Sequence, residues 1–326
     1  MRIYPLIFLG LISSDNLIAD GFDKANDLVD GFNRILQLVV STEALINQGL
    51  SKKESVPLIP PRRDYGITPE DVQRYLRHSI LSKCTASQLQ NGRCYCEGKF
   101  QEPVLFNNRT IDSQSVVAID PTNKLVVISY RVTVSEKNWE SNLKSGLVPH
   151  PYINGPQRVH DGYLEYVSSL YRQMEPTVVR MLRKHPSYKL HITGYSLGGC
   201  VSFISLPFWM YTLKTRNLKN KVQVFSYAGP RPGNVEFAKY VESLNIPIAR
   251  YSQKGDVVPQ VIDQFRGYSQ VGLEFYDSSL PLIRKSFVRC SLNVIEDKNC
   301  SLKDRHFHGT IHLTPFQRPL PMPVLC

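Results

Sequence analysis

The stretch HITGYSLGGC, residues 191–200, constrains the fold of this chain more than any other. Tyr188, Leu190 and Ile192 alternate with Lys189, His191 and Thr193, the two-residue period of a strand. Beyond it, Val201, Phe203, Ile204 and Leu206 carry a helix-like apolar pattern. A strand that becomes a helix so abruptly needs a tight turn. Gly194-Tyr195-Ser196-Leu197-Gly198 fits the G-x-S-x-G elbow, where a serine stands on a strained corner between small residues. The helix N-terminus then aims backbone N–H groups at any anion forming beside the hydroxyl. The competing reading of these five residues alone is a glycine-rich turn carrying a solvated serine.

A nucleophilic serine needs a base, and the base needs an orienting carboxylate. In elbow enzymes the chain order is serine, then Asp or Glu, then histidine. Downstream, IPIARYSQKGDVVPQV (246–261) reads as a strand followed by a turn, with Asp256 where the strand ends. That places an acid on the same sheet edge as Ser196. Of eight histidines, only His306, His308 and His312 follow the acid, in DRHFHGTIHLTPF (304–316), and residue chemistry alone does not choose among them.

The 326 residues suffice for one large domain or two small ones, and 42% hydrophobic content can build a sizeable core. The formal charge of +11 favours anionic surfaces in general. The lysines and arginines are scattered, and no RNP, zinc-finger or basic-zipper pattern accompanies them, so nucleic acid is not expected as a partner. At the N-terminus, Arg2 precedes an apolar run, IYPLIFLGLI (3–12), too short for a bilayer but suited to a signal-peptide core. Residues 22–49 show helical spacing, and SVPLIPPRRDYG (55–66) reads as a proline-rich linker ending near the basic pair Arg62-Arg63. The expected organisation is a signal-like or pro-segment with linker over 1–64 and a catalytic domain over 65–326. Seven cysteines without a C-x-x-C pair argue against a zinc site, and with the apolar N-terminus they point to an oxidising, secretory compartment. Cys200, in the apolar helix after Ser196, is expected to be a buried free thiol.

From about residue 65 onward the chain resembles the fungal class 3 lipases, secreted α/β-hydrolases acting on triacylglycerols. GYSLGG matches their G-H-S-L-G-G elbow, with Tyr195 at the usual histidine. ISYRVTVSEKNW (128–139), VHDGYLEYV (159–167), YAGPRPGNVEFA (227–238), GDVVPQV (255–261) and GYSQVGLEFY (267–276) match further blocks in the family's order, Gln270 replacing a histidine in the last. The resemblance implies an α/β-hydrolase fold: a mostly parallel central sheet flanked by helices, with a short lid after the oxyanion strand. It assigns the catalytic histidine to His312, because IHLTPF aligns with the family's D-H-L-x-Y-F between Cys300 and Cys326. Ile311 and Pro315 replace the family's Asp and Tyr there, and His306 is the rival. It also implies disulfides Cys84–Cys326 and Cys290–Cys300, with Cys94 and Cys96 one residue closer than the family's pair.

The implied chemistry is acyl transfer through a covalent intermediate on Ser196, with His312 as base, Asp256 as its orienter, and Leu197 N–H and Thr133 as oxyanion donors. It requires no cofactor and no metal. Val132 stands at the family's glycine before Thr133, and a β-branched residue resists positive φ, so strain is expected in that turn. The lid sequence VSEKNWESNLKSGL (134–147) is unusually polar. Three readings follow: a lipase making transient contact with a lipid–water interface, an esterase for short or feruloyl esters, and a non-catalytic lipid- or protein-binding descendant. No protein partner is identifiable from these residues.

Overall fold

The computed structural model describes residues 62–84, 86–90, 100–132, 146–260, 267–278, 287–304 and 311–312. Among them an eight-stranded sheet forms the centre. Its strands are β1 (Gln101–Asn108), β2 (Ser113–Asp120), β3 (Leu125–Tyr130), β6 (Lys189–Tyr195), β7 (Val222–Tyr227), β9 (Ile248–Gln253), β11 (Leu273–Asp277) and β12 (Phe287–Arg289), in that spatial order. β1, β2 and β3 pair antiparallel; β3, β6, β7, β9 and β11 run parallel; β12 closes the far edge antiparallel. A smaller sheet joins β10 (Tyr268–Ser269), β8 (Gly233–Asn234), β5 (Arg158–His160) and β4 (Leu147–Pro149). The architecture matches the mostly parallel α/β sheet that the family resemblance implied.

Every residue of β3, β7 and β9 is buried, as parallel strands covered on both faces must be. On one face Val117, Ile119, Val126, Ile128, Leu190 and Ile192 pack against α3 (Asp161–Lys184), α4 (Leu197–Thr215) and α5 (Val235–Ser243). In α3, Tyr163, Tyr166, Val167, Leu170, Tyr171 and Met174 recur at helical spacing and are buried. In α4 all residues from Leu197 to Trp209 are buried, so this helix is apolar around its whole circumference rather than along one stripe. The opposite face, with Val116, Ala118, Phe225 and Phe275, is covered by α1 (Pro69–Ser79). α1 begins with a capping box between Thr68 and Asp71 and a proline in its first turn, which satisfies its first N–H groups. A short helix, α2 (Ala86–Gln90), follows it.

The folded unit starts no later than Arg62, three residues ahead of the expected boundary. The Arg62 backbone N–H donates to the Leu292 carbonyl (3.1 Å), and its Nη1 donates to the Val294 carbonyl (2.7 Å). Its Nε lies 2.8 Å from a Glu242 carboxylate oxygen. Asp64 pairs with Arg289 at 2.7 Å, and the Arg63 guanidinium lies over the Tyr65 ring. Cys290 is bonded to Cys300, as expected, and Cys84 is disulfide-bonded; its expected partner Cys326, with Cys94 and Cys96, lies outside the described residues. Cys200 is a buried free thiol. No described helix is long and apolar enough to cross a membrane.

Three buried histidines make the fold sensitive to acid. His78 Nε2 donates to Asp120 (2.9 Å), and His191 Nδ1 accepts from the Gln223 amide (3.0 Å). His150 Nε2 donates to the Ile204 carbonyl while its Nδ1 accepts from the Tyr152 N–H, which fixes a neutral ring. Burial lowers all three from the ordinary imidazole range, His150 to about 4 and His191 well below it. The unfolded chain takes up these protons near pH 6.5 and the native chain refuses them, so stability holds above about pH 6.5 and falls below it. Between pH 7 and pH 5 the expected loss in urea unfolding is about 2 kcal/mol from His150 alone, and His150→Gln should remove that share. An unchanged unfolding free energy over this interval would contradict the assignment.

Candidate active site

The elbow of the sequence is an elbow in space. β6 ends at Tyr195, Ser196 takes φ +56° and ψ −124°, and α4 begins at Leu197. A positive φ at a non-glycine residue costs on the order of 1–3 kcal/mol and survives only where the surroundings impose it. Two contacts impose it here. The Ser196 N–H donates to the Tyr227 carbonyl at the end of β7 (2.8 Å), and the Ser196 carbonyl accepts from Gly199 N–H (2.9 Å). Two glycines permit the close approach: a Cβ at Gly198 would lie 2.1 Å from the Tyr130 carbonyl oxygen, and one at Gly194 would lie 2.3 Å from the Gly198 backbone. Leu197, at the first position of α4, has an N–H that no carbonyl within the helix can accept.

The acid and the histidine meet. Asp256 follows β9 through the Lys254-Gly255 turn, with Gly255 at φ +78°. Its N–H donates to the Gln253 carbonyl (3.0 Å), and its carboxylate accepts from Val258 N–H (3.0 Å). His312 Nδ1 lies 2.9 and 3.0 Å from the two Asp256 oxygens, in a buried pair. A carboxylate there assigns the proton to Nδ1 and leaves Nε2 as the lone-pair nitrogen. His312 is therefore the described histidine placed beside Asp256; His306, His308 and Thr133 lie outside the described residues.

Neighbouring residues hold this arrangement in ways the motifs did not reveal. The Tyr195 hydroxyl donates to the His312 carbonyl at 2.6 Å. Asp304 accepts from the Gly255 N–H (3.2 Å) and from the Tyr276 hydroxyl (2.6 Å), which braces the turn that carries Asp256. Burial raises the Asp304 carboxyl from its ordinary range. A buried Arg231–Glu296 pair (2.8 Å) ties the segment after β7 to the C-terminal region, and Arg231 also donates to Gln260 in the turn after Asp256. Gln270, at the position of a family histidine, donates its amide to the Gly229 and Pro259 carbonyls (3.1 and 3.2 Å). The strain expected at Val132 is absent: it is not among the described residues with positive φ, and its side chain is buried in the cluster that contains Tyr195 and Phe225. Outside the left-handed region a β-branched side chain meets no such penalty.

Residues 127–265, which span β3, the elbow and the acid turn, match the family model described as Lipase (class 3). Over that stretch the chain is similar to the class 3 lipases. It is similar to a lipase of Rhizopus niveus, 30% identical over 196 residues, 60% of this chain and 48% of the relative. It is also similar to the secreted mono- and diacylglycerol lipase A of Penicillium cyclopium, 26% identical over 53% of this chain and 55% of that protein. The chain thus spans about half the length of these curated relatives. Among solved structures, a Rhizomucor miehei lipase propeptide complex aligns with a TM-score of 0.68 at 22% identity, over 84% of this chain and 93% of that one. That likeness establishes the α/β-hydrolase fold.

The glycine contacts of this elbow are testable. Gly198→Ala forces a methyl into the Tyr130 carbonyl and should cost on the order of 3 kcal/mol or prevent folded protein from accumulating. Gly146→Ala, where the nearest atom to a new Cβ is 3.8 Å away, is the control and should leave the melting temperature nearly unchanged. Equal stability of both variants would show that the elbow tolerates the side chain.

Proposed function

We propose that this chain is a secreted serine ester hydrolase, a lipase that cleaves acylglycerol esters. The observation that carries the reading is the buried Asp256–His312 pair, tethered through Tyr195 to the strained residue that follows it, Ser196. In this reading Ser196 Oγ attacks the ester carbonyl while His312 Nε2 takes the hydroxyl proton. Asp256 holds the ring in the Nδ1–H tautomer and stabilises the imidazolium as it forms. The tetrahedral oxyanion accepts from the Leu197 N–H and, by the family resemblance, from Thr133; each such donor is worth about 10²–10³ in turnover. Collapse transfers the proton from His312 to the leaving alcohol and leaves an acyl-enzyme. Water, activated by the same imidazole, then releases the acid. No step calls for a cofactor or metal.

The substrate class rests on relatives called lipases and on one called a secreted mono- and diacylglycerol lipase. An esterase for short or feruloyl esters is the second reading, favoured by the polar lid sequence over 134–147. Residues 1–64 are read as a secretion leader, pro-segment and linker. Because Arg62 is docked on Glu242, a protease that reads both basic side chains must act before that docking forms.

The experiment uses protein collected from the medium of a secreting host, with its N-terminus sequenced and its turnover measured on dispersed diacylglycerol and on esters of increasing chain length. Ser196→Ala and His312→Ala should each lose on the order of 10⁴-fold or more, since these residues act as a unit, and His306→Ala should stay within about twofold of the parent. Preference for short or feruloyl esters would select the second reading. Retained activity in Ser196→Ala, or a secreted chain that still begins at Met1, would contradict the corresponding part.

A further inference from the structure

We infer that Tyr195 is a positioning residue for the proposed reaction: its hydroxyl anchors the main chain of His312 to the nucleophile elbow. The inference deepens the hydrolase reading and rests on it. The Tyr195 hydroxyl donates to the His312 carbonyl at 2.6 Å, and the two rings lie 5.2 Å apart between centroids. Tyr195 is the last residue of β6 and is buried, with 1% of its surface exposed. Its backbone is fixed in the ladder with β7, where it pairs with Tyr227. The phenol is thus a rigid post rather than a swinging arm.

What the post fixes follows from geometry. His312 reaches the strands through its Asp256 contact at the ring and its Tyr195 contact at the carbonyl. The Asp256 bonds alone set a distance from Nδ1 but leave the ring free to pivot about the carboxylate. Fixing the carbonyl restricts that freedom at the other end of the residue and so narrows the directions open to Nε2. The restriction comes from the residue adjacent to Ser196, so elbow and base move as one piece. The buried phenol stays protonated, because burial and the nearby Asp256 charge push its ionisation well above the ordinary range. The phenol therefore keeps the O–H that the His312 carbonyl accepts.

Tyr195 stands where the family's elbow has a histidine, and in this chain that position holds the His312 carbonyl.

The test compares the full-length protein with Tyr195→Phe, which keeps the ring and removes the donor. Two readouts are taken: kcat and KM on a soluble ester, and the downfield proton resonance of the His312 Nδ1–H···Asp256 bond. Loss of alignment should lower kcat by about 10- to 10²-fold, the usual effect of a displacement near 1 Å, with KM within twofold and the downfield proton broadened by exchange. A merely structural tyrosine would lower the melting temperature and leave both readouts unchanged, and that result would overturn the inference. Should Tyr195→Phe not fold, Tyr195→His supplies a donor of shorter reach and is expected to show the same fall confined to kcat; parental kcat in that variant would equally overturn it. If the parent itself hydrolyses no ester while its downfield proton still depends on Tyr195, the hydrolase reading fails and the anchoring stands.

Discussion

The backbone at Ser196 is the constraint on which the rest of the site depends. A serine at φ +56° is unfavourable by itself, and it is held by a strand that must end at Tyr195 and a helix that must begin at Leu197. Gly194 and Gly198 let these elements approach to distances that a methyl group would forbid. The cost is offset by burial of α4 along its first thirteen residues, which makes the helix the central packing element on its side of the sheet. The main chain of the serine is thereby locked between the strand end and the helix start. Preorganisation of this kind spares the reaction the work of arranging its own nucleophile.

Charge and hydrogen bonding then fix the partners relative to that corner. Asp256 is positioned by its own turn and by Asp304 behind Gly255, so one carboxylate carries the ring while another carries the loop. The Arg231–Glu296 pair is buried at both ends and makes further bonds to Gln260 and the Gln270 N–H. Buried pairs of this sort contribute little net stability after desolvation. Their effect here is geometric: three segments distant in sequence, around Arg231, Gln270 and Glu296, are drawn against the acid turn at Gln260. Arg250, Glu274 and Ser252 form a second such cluster one strand away.

Much of this was legible from residues alone. The period change around Ser196 announced the strand, the turn and the helix, because alternation and helical spacing are local properties of a chain. Asp256 could be located because a carboxylate after an apolar strand must emerge at the strand's C-terminal edge. His312 could not be separated from His306 or His308 by chemistry, since all three stand in one short polar segment; the family pattern made that choice and the contact with Asp256 agrees with it. The expectation of strain at Val132 failed because it assumed a positive φ that the backbone does not take at that position. The boundary near residue 64 missed Arg62 because proline and basic residues look like linker until a distant Glu242 is seen to pair with one of them. Tyr195 was visible as a departure from the family elbow, but its bond to a carbonyl 117 residues away leaves no local signature.

The central claim is that the strained serine and the buried histidine–aspartate pair constitute one activated nucleophile. Exposing the purified protein to an alkyl fluorophosphonate, then measuring intact mass and mapping the modified peptide, addresses it most directly. One adduct is expected, on Ser196, forming far more slowly in His312→Ala and absent in Ser196→Ala. A folded protein that forms no adduct, or carries it on another serine at an equal rate in the His312→Ala variant, would contradict the claim.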